Sequence, residues 1–298
     1  MYGDVSMSRS LVRGSRPTAR FRRIMQTQTT APSTLSDLTP AQREILVARL
    51  RERRDRAAAD AAPAVRLAGA GGSRTPFFCV HAIGGAVFSY VELAQALGPG
   101  QPFYGLQARG LDGRSAPSAD ISEMAAAYVR AVRTVQPEGP YRLGGWSFGG
   151  TVAYEMARQL RAAGARVEWL ALLDSWSPRL CGASAPVDAE VETLLAHDLG
   201  PAAEALGPQQ RERLVAVYRA HLEALHRYRP EPWLDESLFV TLFRAEPAAG
   251  LPEAPANGWE EILLGDIEVC PVPGDHYSLL AKPQVQVLAE RLAIRLGA

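Results

Sequence analysis

The 298-residue chain has only three cysteines, Cys79, Cys181 and Cys270. None belongs to a C-x-x-C pair, and no Cys/His spacing matches a metal-ligand set. A disulfide framework and a zinc module are therefore both excluded as organising principles, and a reducing, cytoplasmic setting is expected. Long apolar runs are missing too: a stretch such as Trp169–Leu173 falls far short of the ~20 residues a bilayer-spanning helix needs. No membrane partner is expected. Nor does charge of one sign dominate, since 32 basic side chains balance 32 acidic ones. No nucleic-acid partner is expected, although a basic tail could meet an acidic partner. No internal repeat appears.

What is present is an apolar fraction of 47%, enough for a sizeable core. Length alone allows one large α/β domain or two small ones. Positive charge is concentrated at the start, where arginines outnumber the single acid, Asp4, through residue 25. Only Ile24-Met25 follow Arg22-Arg23 before polar residues begin, so a secretory leader is not expected here. Residues 1–38, rich in Arg, Ser, Thr and Gln, are expected to be disordered. Met25 offers an alternative start. Thr39-Pro40-Ala41-Gln42 has the form of a helix N-terminus, with a capping threonine and proline at the first helical position. The helix that follows has a weak apolar stripe (Leu46, Val47, Leu50), so residues 39–62 are expected to form a linker or docking helix.

From Val65 onward, short β-rich runs alternate with helical segments. Strands are expected at 77–80, 103–106, 141–145 and 167–173, with helices near 88–97, 121–136 and 149–163. This alternation with short turns predicts a mostly parallel sheet covered by helices on both faces. After Asp174 the rhythm changes. Helical stretches at 187–199 and 211–228 precede strands at 238–243 and 267–272, and a final helix covers 283–296. A helical insertion between strands of one sheet, at about 177–236, is expected to form a lid.

Gly145-Trp146-Ser147-Phe148-Gly149 reads G-x-S-x-G between a predicted strand and a predicted helix. A nucleophile held on so sharp a turn needs small neighbours, and the helix N-terminus turns free N–H groups towards it. Serine requires a base, and the base an orienting acid. His276 lies after the last strand, whereas His81 precedes the serine and His197, His221 and His226 fall in the predicted lid. Asp174 ends the strand after the nucleophile helix, with Glu246 and Asp275 as rivals. In an α/β-hydrolase fold the order is serine, acid, histidine, so Ser147, Asp174 and His276 are the expected catalytic residues. The oxyanion is expected to be held by the N–H groups of Phe148 and Ile83, the latter in a loop where Gly84 and Gly85 permit close approach. His81 is expected to pack or hydrogen-bond within that loop.

Four segments together, Phe78–Gly85, Gly144–Gly150, Leu173–Ser175 and Pro273–Tyr277, resemble the thioesterase domains that end non-ribosomal peptide and polyketide assembly lines. The resemblance covers about residues 63–298. It implies an α/β-hydrolase domain that takes an acyl or peptidyl chain from the phosphopantetheine of a carrier protein and releases it by hydrolysis or macrocyclisation. The carrier would be the partner, and neither a metal nor a cofactor of the enzyme's own is implied. The related editing (type II) thioesterases carry histidine before the serine, methionine after it, and the acid one strand later. Trp146, Phe148 and Asp174 point instead to the chain-releasing type. Residues 1–62 contain no phosphopantetheine-attachment motif, so a domain meeting its carrier in trans, or one excised from a larger protein, is expected. A general serine esterase would use the same triad. The apolar lid positions Trp176, Leu194, Leu195, Tyr218, Leu222, Leu225 and Tyr228 either face the substrate or pack.

Overall fold

The computed structural model describes residues 64–69, 73–181, 187–200, 206–234, 237–245 and 254–297. The chain divides into two units, residues 1–55 and 56–298, and the first lies outside the described residues. So do the N-terminal segment 1–38, the helix expected within 39–62 and the rival acid Glu246.

Seven strands form one sheet in the order β1-β3-β2-β4-β5-β6-β7. They are β1 (Ala64–Ala68), β2 (Phe77–Val80), β3 (Phe103–Leu106), β4 (Tyr141–Trp146), β5 (Val167–Leu173), β6 (Phe239–Ala245) and β7 (Ile267–Val272). Only β1 runs antiparallel, on β3 at one edge; every other pairing is parallel. The helices are α1 (Val91–Ala96), α2 (Ile121–Val135), α3 (Phe148–Ala162), α4 (Val187–Leu199), α5 (Pro208–Arg227) and α6 (Gln284–Leu296). This is the α/β-hydrolase fold.

Alternation along the strands divides the core in two. Phe78, Val80, Leu143, Leu170 and Leu172 face α2 and α3, whereas Phe77, Cys79, Ala171 and Leu173 face α1 and α6. A strand covered on both faces must be apolar at nearly every position, which is what Trp169–Leu173 supplies. Each fully buried leucine or valine contributes about 1.5–3 kcal/mol. Helix α2 starts at Asp120, whose side chain accepts from the Glu123 N–H at 2.9 Å; its stripe of Met124, Tyr128 and Val132 is buried. The second insertion helix begins three residues earlier than its apolar pattern suggested, because Gly207 and Pro208 supply the N-terminus.

The register decides where chemistry can collect. Val80 pairs with Gly145, Trp146 with Leu173, and Leu173 with Phe243. These strands therefore end level with one another, and His81, Ser147 and Asp174 leave the sheet along one edge. The chain runs from β2 outward to β3 and returns on the other side at β4. The crevice where the strand order reverses is where α/β sheets bind ligands.

Candidate active site

Ser147 sits on the strand-to-helix turn with φ 56° and ψ −123°, a conformation that L residues rarely adopt. The turn exists because its neighbours carry no Cβ. One built on Gly145 would lie 2.1 Å from the Gly149 carbonyl carbon, and one on Gly149 would lie 2.3 Å from the Val80 oxygen. The Ser147 N–H donates to Leu173 O at 3.0 Å, which ties the turn to β5. Tyr90 braces it from below: its hydroxyl accepts from the Trp146 N–H at 2.9 Å and donates to Val80 O at 2.5 Å.

Three of the side chains expected from the sequence meet here. His276 Nε2 lies 3.1 Å from Ser147 Oγ. His276 Nδ1 lies 2.7 Å from Asp174 Oδ2, across 102 residues of sequence. Asp174, buried and with φ 41°, accepts from the Ala245 N–H through Oδ1 at 3.0 Å. Both carboxylate oxygens are thus occupied, one by the imidazole and one by the backbone of β6. The ring of His276 packs against Trp146, with centroids 5.4 Å apart. Asp275, the rival acid, is engaged elsewhere: it accepts from the N–H groups of Tyr277 and Ser278 and from the Ser278 hydroxyl. The N–H and hydroxyl of Ser278, first and foremost, hold its carboxyl below the usual range.

Ile83 and Phe148 flank Ser147 in the wall of a cavity of about 880 Å³, with Asp174 and His276 in the same wall. Phe148 opens α3, so its N–H is the first of the amides a helix leaves without an internal partner. Of the apolar positions noted in the insertion, Trp176, Leu194, Leu222 and Leu225 line this cavity. Leu195 and Tyr218 are buried in packing, and the Tyr228 hydroxyl donates to Glu155 at 2.7 Å. No group of three or more His, Cys, Asp or Glu residues able to hold a metal occurs among the described residues. No described helix is long and apolar enough to cross a membrane.

His81 lies in the loop after β2, fully buried, and its Nδ1 donates to Ala82 O at 2.6 Å. Its Nε2 meets the Tyr128 hydroxyl at 2.6 Å. The role of His221 was invisible in the sequence: from α5 its Nδ1 donates to Ile83 O at 2.6 Å. Burial first, then the nearby His221, pushes His81 down to about 3. Burial pushes His221 down to about 4. An imidazole that is neutral when folded but protonated when unfolded makes stability fall as pH drops below the ordinary histidine value of ~6.5, until the folded values are reached. At pH 5 each should cost about 2 kcal/mol relative to pH 7. The melting temperature is therefore expected to fall between pH 7 and pH 5, and replacing one of the two should flatten that slope. A profile unchanged by either replacement would rule the assignment out.

Comparison with known proteins adds a family to this geometry. The model of the thioesterase domain family matches residues 75–294. Malpinin synthetase of Mortierella alpina is 31% identical over 229 residues, covering 74% of this chain and 3% of that protein. The chain likewise spans only 2% of malpibaldin synthetase and 4% of the dimodular nonribosomal peptide synthase of Bacillus subtilis. Among solved structures, the NocB thioesterase domain in covalent complex with a fluorophosphonate nocardicin G analogue is 30% identical, with TM-score 0.65, covering 75% of this chain and 96% of that one. RedJ, a thioesterase of the prodiginine biosynthetic pathway in Streptomyces coelicolor, is 28% identical, with TM-score 0.63, covering 74% of this chain and 89% of that one. An α/β-hydrolase sheet that carries a G-x-S-x-G turn, matched by that family model over most of its length, belongs to the thioesterase domain family.

Proposed function

We propose that this domain releases an acyl or peptidyl chain from the phosphopantetheine thioester of a carrier protein through an acyl-Ser147 intermediate. The reading rests on one observation above all: His276 bridges Ser147 Oγ and Asp174 Oδ2 at the wall of a large, mainly apolar-lined cavity. His276 Nε2 takes the Ser147 proton as Oγ attacks the thioester carbonyl, and Asp174 stabilises the imidazolium through Nδ1–H. The N–H groups of Ile83 and Phe148 receive the negative oxygen. On collapse, the C–S bond breaks and His276 returns the proton to the leaving thiolate. Water, or a hydroxyl or amine within the acyl chain itself, then gives its proton to His276 and attacks the ester carbonyl; the C–Oγ bond breaks, His276 returns the proton to Ser147 Oγ, and the product leaves. Trp146 before the serine, Phe148 after it and the acid directly after β5 support chain release over editing. The free thiols of Cys79, Cys181 and Cys270 suit the reducing cytoplasm in which such a carrier would be met.

Intact-mass analysis after mixing with a panel of acyl-pantetheine thioesters tests this directly. A mass increase of one acyl group on Ser147, absent from Ser147→Ala, is expected, and product masses separate hydrolysis from cyclisation. Turnover of the thioester should exceed that of the matching oxoester. A strong preference for the oxoester would make the domain a general esterase instead.

A further inference from the structure

Ile83 lies between two peptide carbonyls, each held from behind by a buried histidine. His81 Nδ1 donates to the carbonyl of Ala82, and His221 Nδ1 to that of Ile83 itself. A trans peptide is planar, with its C=O and N–H pointing in opposite directions. Holding Ala82 O therefore fixes the direction of the Ile83 N–H, because both belong to one rigid unit. Holding Ile83 O fixes the next unit, which closes the remaining rotation by which the N–H could swing away.

The two histidines reach this point from distant parts of the chain. His81 follows β2, whereas His221 belongs to α5 and is separated from Ile83 by 138 residues. Their rings lie 5.0 Å apart and 19° from parallel. The Phe148 ring stacks on both, at 6.0 Å from His81 and 5.0 Å from His221. Phe148 also supplies the other proposed oxyanion amide, so both amides are anchored to a single aromatic cluster. Tyr128 of α2 completes it from the other side of His81, its hydroxyl donating to Nε2 and so leaving the proton on Nδ1. His221 is 1% exposed and faces a separate cavity of about 240 Å³ beside Tyr128 and Arg109, rather than the cavity that holds Ser147. It can act on the reaction only through what it holds.

We propose that His221 is a positioning residue for the oxyanion site: from α5 it clamps the Ile83 carbonyl and thereby aims the Ile83 N–H at the acyl oxygen. The helical insertion then does more than line the acyl cavity; it sets how strongly the tetrahedral intermediate is held. The inference rests on the reading in which Ser147 attacks and Ile83 receives the oxyanion.

Two substitutions separate aim from packing. Asparagine places an amide N–H where Nδ1 stood relative to Cβ, whereas leucine fills similar space with no donor. His221→Leu is expected to lower kcat on an acyl-pantetheine thioester about 10- to 100-fold, with KM changed less than threefold, since a badly aimed donor fails mainly in the transition state. His221→Asn should recover a large part of that loss. Affinity for a substrate-derived trifluoromethyl ketone, which forms a reversible tetrahedral adduct, should fall in His221→Leu by the same factor as kcat/KM. Thermal melts of both variants establish the folded fraction; should His221→Leu not fold, His221→Gln, whose amide sits one bond too far out, takes its place and is expected to be slower than His221→Asn. Equal losses in the donor and donor-free variants, or an unchanged kcat in the latter, would overturn the clamp. Labelling of the wild-type protein with an alkyl fluorophosphonate keeps the two ideas apart. Absence of label on Ser147 sinks the nucleophile assignment itself, whereas labelled Ser147 with an unchanged kcat in the donor-free variant sinks the clamp alone.

Discussion

Ser147→Ala is expected to lower kcat on an acyl-pantetheine thioester by about 10⁴-fold or more while leaving substrate binding nearly intact. In the proposed mechanism the reaction begins with bond formation at Oγ, and among the described residues no other hydroxyl is hydrogen-bonded to His276 Nε2. What remains after truncation is the cavity and the two proposed oxyanion amides, which would stabilise charge but form no ester. The fold should be untouched. Alanine keeps the Cβ, so the strain at φ 56° is the same in both proteins, and the Ser147 N–H still reaches Leu173 O. Stopped-flow or discontinuous thiol-release assays, paired with thermal melts, check both halves. Retention of more than about 1% of turnover at an unchanged melting temperature would show that water is activated without the serine.

Asp174→Asn is expected to cost about 10⁴-fold in kcat at neutral pH, although it changes only one atom and one charge. The carboxylate accepts twice, from the Ala245 N–H at Oδ1 and from His276 Nδ1–H at Oδ2. An asparagine has one acceptor and one donor end. If its oxygen keeps the Ala245 bond, its NH₂ faces His276 Nδ1 and can be satisfied only when that nitrogen is unprotonated. The ring then carries its proton on Nε2, facing Ser147, and cannot take another from the hydroxyl. If the amide flips, NH₂ meets the buried Ala245 N–H, and two donors are left against each other at a cost of about 1–3 kcal/mol. The first orientation wins, so the loss should appear in kcat with little change in KM and only a small change in melting temperature. A variant that keeps a tenth of the wild-type kcat would mean that Asp174 is not the orienting acid.

Much of this site could be read along the chain because its signals are local. A serine between glycines, with an apolar strand before it and a helix after it, announces a strained turn wherever it occurs. The histidine and aspartate follow from their places at the ends of predicted strands, since parallel strands must all deliver their C-terminal ends to one edge. The strands at 77–80, 103–106, 167–173 and 267–272 likewise emerge at their expected bounds. Their composition answers to burial on two faces, which needs no knowledge of the neighbours.

The tertiary structure decided everything that depends on which distant segments meet. Period and propensity show which side of α5 is apolar, but they do not show that His221, within that side, would reach the carbonyl of Ile83 138 residues earlier. They do not separate Leu222 and Leu225, which line the cavity, from Tyr218, which packs. Nor do they show that Tyr90 would stitch β2 to β4 through one hydroxyl. These contacts arise from strand register and from how the insertion lies over the sheet edge. Such properties come from the whole packed core, in which a side chain's neighbours are set by many elements at once. By itself, the amino-acid sequence determined the chemical parts and their order. Only packing decided how they are aimed, because aim depends on distances between atoms that the chain brings together only when folded.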